Sequence, residues 1–180
     1  LWQISRTVRA DYQGARMRIL TRLAPGLSGL ALLGGAPAFA QAPVMKDYSW
    51  TEMRAEVVTA GAEVTKEGES GKSHFLTVKD DTGLIFGIYG FECDSVTQRC
   101  RGADFIASFT LKDPSQADAV LNTLDYAAVG DYRDDEGHVK ISRYVIFDGG
   151  ITQENLQTNI TVFLSLANQT WDKLDADKLL

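Results

Sequence analysis

The sequence predicts an α+β fold, an antiparallel sheet of about five strands with three helices in the order α-β-β-β-α-β-β-α. Three observations predict it. Capping residues mark helix ends at three separated places, short segments of alternating polarity lie between them, and helices do not alternate one-for-one with strands as a doubly wound parallel sheet requires.

The first helix opens at Ser49-Trp50-Thr51-Glu52, a capping box whose hydroxyl and carboxylate each satisfy a backbone N–H left free in the first turn, and runs to Gly61. Trp50, Met53, Val57 and Ala60 recur along it at helical spacing and predict a core-facing stripe. A second helix is predicted from Asp113-Pro114-Ser115 to Gly130, burying Val120, Leu121, Leu124 and Ala128. The third begins at Thr152 with Glu154 in its first turn, and carries Leu156, Ile160, Phe163, Leu164, Ala167 and Trp171 on one side.

Residues 74–79, 84–91 and 103–111 read as strands, the last with Phe105, Ala107, Phe109 and Leu111 alternating toward one face. A further pair, 129–133 and 138–147, flanks Asp135-Glu136-Gly137, a hairpin turn in which Gly137 takes the positive φ.

Ahead of this domain, Met17-Arg18-Ile19-Leu20-Thr21-Arg22 supplies positive charge before an apolar run from Leu23 to about Gly35. Small residues Ala38 and Ala40 then suit signal peptidase, so cleavage is expected before Gln41 and the chain is expected in the periplasm of a Gram-negative-type bacterium. The run is short of the ~20 apolar residues a bilayer needs and is broken by Pro25 and several glycines, so no stable membrane insertion is expected after cleavage. Residues 1–16 read as an upstream extension, with translation expected to start at Met17, residues 17–40 as a signal peptide and 41–180 as one domain.

The first forty residues hold five Arg and one Asp, which leaves 13 basic and 23 acidic residues and a net charge near −10. Such a surface repels phosphate backbones, and no Lys/Arg cluster with interleaved aromatics offsets it, so nucleic acid is not an expected partner.

Cys93 and Cys100 lie between two strands, in a compartment that oxidises thiols, and a structural disulfide is expected. Free or redox-active thiols and a metal site are the alternatives. A metal would need further ligands, and the two histidines, His74 and His138, have no ligand spacing around them. Asp131, Asp134, Asp135 and Glu136 lack the order of an EF-hand loop and read as a solvated hairpin tip. His138 could pair with Asp135 as an acid–base couple. Ser108, Ser142 and Ser165 stand in no nucleophile-elbow context, and Gly149-Gly150 reads as a strand-to-helix turn rather than an anion cradle.

The stretch from Ile85 to Trp171 resembles the YbjN domain family of bacterial proteins, sometimes labelled sensory transduction regulators. The resemblance rests on Phe91-Glu92-Cys93 through Cys100-Arg101-Gly102-Ala103-Asp104-Phe105, on Asn122, on Tyr132-Arg133-Asp134-Asp135-Glu136-Gly137-His138-Val139, and on Phe147-Asp148-Gly149-Gly150-Ile151-Thr152-Gln153-Glu154-Asn155-Leu156. Leu124-Asp125 departs from the Trp-Asn frequent in that family. The resemblance implies a fold similar to that of type III secretion chaperones, which bind protein segments, and no established catalytic residue.

Residues and resemblance together lead to the expectation of a non-catalytic exported module, chaperone-like or regulatory, that binds a protein partner and needs no cofactor or metal. A homodimer stays open. Helix one is short, so its Trp50, Met53 and Val57 face, backed by Glu52, Arg54 and Glu56, is the expected partner-binding element. The competing expectation is a hydrolase or metal-dependent enzyme built on the Asp134/Asp135/His138 turn.

Overall fold

A computed structural model of the chain describes residues 43–70 and 73–180. The expected signal peptide, its cleavage site and the upstream extension lie outside the described residues.

The elements run β1 (Val44–Met45), α1 (Trp50–Thr59), β2 (Glu63–Ser70), β3 (Ser73–Lys79), β4 (Ile85–Cys93), β5 (Cys100–Phe109), a 3-10 turn (Pro114–Gln116), α2 (Ala117–Leu121), β6 (Gly130–Arg133), β7 (Val139–Ile146), β8 (Ile151–Thr152) and α3 (Gln153–Ala176). Six strands form one antiparallel sheet in the order β2-β3-β4-β5-β7-β6, and β1 pairs separately with β8. The α+β class therefore holds, with six strands in the main sheet rather than five.

The added strand is β2. Its sequence, Glu63-Val64-Thr65-Lys66-Glu67-Gly68-Glu69-Ser70, carries one large apolar side chain, because it is an edge strand. Charge along an edge discourages pairing with other chains and also erases the apolar alternation by which a strand is read.

The second helix is much shorter than expected. Asp113 accepts the Ser115 backbone N–H at 3.0 Å and opens a 3-10 turn, and α2 then ends at Leu121 instead of reaching Gly130. Asn122, Thr123 and Asp125 are poor helix formers, and the Thr123 hydroxyl donates to Val120 O at 2.7 Å in the last turn. Ala128, expected in the core, is exposed.

The third helix matches its expected start, with the Thr152 hydroxyl accepting the Asn155 N–H at 3.1 Å. Gly149 and Gly150, at φ 82° and 92°, make the tight turn before it, and a Cβ on Gly150 would stand 3.0 Å from Val44 of β1. Leu156, Ile160, Phe163, Ala167, Thr170 and Leu174 are its buried residues. Trp171 is not among them: its neighbour Thr170 takes the inward position, with its hydroxyl donating to Leu166 O at 2.9 Å, and the helical step of about 100° carries Trp171 off that face and leaves it 47% exposed.

Helices α1 and α3 cover one face of the sheet. Phe86, Ile88, Ala103, Phe105, Ala107, Ile141 and Val145 point into that layer, and Phe163 of α3 packs its ring 5.2 Å from Phe86 and 5.8 Å from Phe105.

Candidate functional site

The expected partner-binding residues of helix one belong to the core. Trp50 is 7% exposed and Met53 and Val57 are fully buried. The Trp50 ring stacks on His74 at 4.6 Å and lies over Gly90, where a Cβ would come within 2.7 Å of it. Glu56, expected on the outer side, is also buried; it accepts hydrogen bonds from Gln153, at 2.7 Å, and from Gln157, which clamps α1 to α3. The apolar stripe of α1 does not by itself reveal that its polar side also meets another helix, which it does through Glu56.

Cys93 and Cys100 form the expected disulfide, with an S–S distance of 2.02 Å, and they are register partners at the end of the β4–β5 pair. Cys100 also exchanges two 2.9 Å backbone hydrogen bonds with Tyr48, whose buried hydroxyl donates to Gly102 O at 3.1 Å. Burial is the main cause that raises the Tyr48 hydroxyl well above the ordinary tyrosine value. The bridge thus ties the strand ends to the chain entering α1.

The hairpin tip between β6 and β7 brings Asp134, Glu136 and His138 together, with one ligand atom from each lying within 4.8 Å of the others. His138 pairs with Asp134 rather than with Asp135, Nδ1 to Oδ2 at 2.9 Å. Asp134 Oδ1 accepts the backbone N–H groups of Glu136 and His138 at 3.1 and 2.9 Å, and Oδ2 also meets the Lys140 ammonium at 3.1 Å. The hydrogen bond from His138 holds the Asp134 carboxyl far below the usual carboxylate range, assisted by the backbone and by Lys140 against desolvation. Every acceptor of this aspartate therefore closes the turn, and a cation of the chain already stands beside it.

A hollow of about 430 Å³ opens between the β3–β4 turn and α3, lined by Thr82, Leu84, Ile85, Phe109, Asn168 and Trp171. Nearby, buried Asp80 accepts the Thr82 and Leu84 N–H groups at 3.0 and 2.9 Å, the Thr82 hydroxyl at 2.7 Å and the Asn168 amide at 2.7 Å. Burial pushes this carboxyl up, but the hydrogen bonds outweigh burial and hold it below its ordinary value. This cluster is a fully satisfied brace between turn and helix.

The face of the sheet turned away from the helices is different. Register places Phe75, Tyr89, Asp104 and Tyr144 side by side across β3, β4, β5 and β7, with Thr77, Gly87, Ile106 and Ser142 on one side and Phe91, Gly102 and Ile146 on the other. Five of the nine large apolar side chains exposed among the described residues are here: Ile85, Phe91, Tyr132, Tyr144 and Ile146. Phe75 and Tyr89 pair at 6.0 Å, and Phe91 and Tyr144 pair edge to face at 5.3 Å. A shallow groove of about 640 Å³ runs along Ile85, Tyr89, Phe91 and Ile106 toward Lys140.

Two glycines shape this surface. The Tyr89 ring leans over Gly87 and the Tyr144 ring over Gly102, so closely that a Cβ would come within 2.5 and 2.4 Å of them. Tyr89 thus leans along β4 and Tyr144 leans across to β5, and Asp104 stands between these two tyrosines in the register row. Asp104 Oδ1 is buried and has no hydrogen-bond partner, and burial alone pushes the carboxyl up. Burial, then the nearby Glu92, Asp104 and Asp148 carboxylates, raise the Tyr144 hydroxyl.

Sequence reasoning missed this surface, although a signal was present: residues 85–91 do not alternate with polar positions, and a strand apolar on both sides is one buried on both sides. Against family models, curated proteins and solved structures, the chain matches none.

Proposed function

We propose that the chain is a non-catalytic exported module of the YbjN kind that binds a protein partner through the open face of its sheet. The observation that carries this is the gathering of five exposed large apolar side chains on one face, around a groove, on a domain whose other face already has its own helices. The expected acid–base turn gives less support to an enzyme, because Asp134 closes the hairpin and Asp135 takes no part in the cluster. The disulfide suits the oxidising compartment that export would provide.

The test is affinity capture from periplasmic extract with the mature protein and with a Phe91→Asp/Tyr144→Asp double variant shown to be folded by circular dichroism. Partners held by the wild type and lost by the variant support this function. An unchanged set of partners places binding elsewhere and overturns it.

A further inference from the structure

We propose that Asp104 and the aromatic pairs beside it form a docking position for a guanidinium group, so that the open face receives an extended partner segment bearing an arginine. This rests on the reading of the face as the partner surface and adds the chemistry of what it takes.

Three features of the face converge on a cation. The Asp104 carboxylate stands at the middle of the Phe75–Tyr89–Asp104–Tyr144 row with one oxygen buried and without a donor. The other oxygen is not sealed in this way, so a donor from outside the chain would meet the carboxylate there and offset the cost of holding it charged with its inner oxygen unpaired. The rings on either side offer π faces, which attract a cation, and Lys66 of the edge strand already places its ammonium 5.7 Å from the Phe75 ring centre. Finally, the chain's own cations near this face stand elsewhere: Lys140, at the end of the groove, pairs with Asp134 at 3.1 Å, and Lys66 lies over the Phe75 ring.

A guanidinium fits better than an ammonium. It is planar, stacks on aromatic rings, sheds its hydration more readily and presents several donors to one carboxylate. The negative charge of residues 41–180, net near −10, would draw such a segment from a distance, while the apolar residues around Asp104 would take its uncharged neighbours.

The test uses the mature protein and a blocked nine-residue peptide of alternating valine and threonine with one central arginine, compared with the same peptide carrying citrulline, which keeps the shape and loses the charge. Binding is followed by amide chemical shifts of β4, β5 and β7. The arginine peptide is expected to bind at least about ten-fold more tightly than the citrulline peptide. Asp104→Asn is expected to abolish that difference while retaining the weak citrulline-level binding, and the Phe91→Asp/Tyr144→Asp variant to lose both peptides.

Equal binding of both peptides to the face overturns the guanidinium site and leaves the face as a partner surface. Absence of binding by either peptide also overturns it, and partner capture then decides the fate of the broader function independently. Dimerisation of the wild type that disappears in Phe91→Asp/Tyr144→Asp would identify a second copy as the occupant and overturn the proposal.

Discussion

The two faces of the sheet are built from the same strands and have different fates. On β4, Phe86 and Ile88 enter the helix layer, while Ile85, Tyr89 and Phe91 point to the open side; on β5, Phe105 and Ala107 are covered, while Asp104 and Ile106 are not. An antiparallel sheet with one solvated face ordinarily shows polar residues there. Here the solvated face is nearly as apolar as the covered one along β4, which is the composition the proposed partner surface requires. The difference teaches that apolar character alone does not locate the core; what matters is whether an element of the same chain lies opposite.

Stability should separate the faces most sharply. Phe105→Ala and Phe163→Ala each remove a ring from the layer between sheet and helices, and each is expected to cost about 3–5 kcal/mol in chemical denaturation. Phe91→Ala and Tyr144→Ala on the open face are expected to cost no more than about 1 kcal/mol. If Phe91→Ala proves as costly as Phe105→Ala, the open face is covered in the free protein and the contrast collapses.

The disulfide gives the next effect. Reducing Cys93–Cys100, which closes a loop with a sequence separation of 7, removes on the order of 2.5 kcal/mol in the loop-closure account. The melting temperature should fall by several degrees while far-ultraviolet circular dichroism at 25 °C stays native. Because the bridge anchors the end of the β4–β5 pair beside Phe91, the loss should loosen the open face before the covered one, seen as faster amide exchange near Phe91 than near Phe105. Equal acceleration at both positions would show that the two faces unfold as one unit.

Much of the covered half could be read from sequence because local chemistry agrees with global packing there: the Ser49–Glu52 capping box, the Thr152 cap and the stripe from Leu156 to Ala167 each serve one role. Reading failed where one residue type serves two masters. Glu56 looks like a surface residue and is a buried clamp, while Trp171 looks like core and lies off the buried face that Thr170 takes, its hydroxyl satisfied there by Leu166 O and the Tyr126 hydroxyl. The open face stayed hidden because its key arrangement is lateral. Phe75, Tyr89, Asp104 and Tyr144 are distant in sequence and become a row only through strand register.

Asp104 sharpens the comparison within the open face. Its carboxyl is pushed above the ordinary value of 3.8 by burial, so the folded state holds its proton more tightly than the unfolded chain does. The stabilising contribution is therefore present at pH values below 3.8 and is lost as pH rises through the raised folded value. At neutral pH, Asp104→Asn is expected to stabilise the protein, by on the order of 1 kcal/mol or less once solvent screening of a half-exposed group is allowed for. The gain over wild type should shrink as pH falls toward 3, measured as the difference in melting temperature at each pH. Asp134 and Asp80, whose carboxyls are held low, destabilise both proteins together in acid and cancel in that difference. A variant less stable than wild type at pH 7 would mean that Asp104 already has a favourable partner in the free protein.

The smallest effect is expected at the β6–β7 tip, the place where chemistry looks richest in sequence. Asp134 takes two backbone N–H groups, His138 and Lys140, so its negative charge stabilises the turn above the ordinary carboxylate value and that contribution is lost as pH falls below it. Asp134→Asn, Asp135→Asn and His138→Gln combined should therefore speed amide exchange from Glu136 to His138 and lower the melting temperature slightly, because none of the three side chains belongs to the buried core. Partner capture and the arginine preference should remain as in wild type. Zinc added at equimolar concentration should leave the His138 ring resonances unmoved, since Lys140 occupies the flank of Asp134 from which an ion would have to bind. Should the triple variant lose partner capture or its cellular role while keeping its melting temperature, the tip and not the aromatic face is the working surface, and the acid–base expectation for that turn regains its place over the binding module.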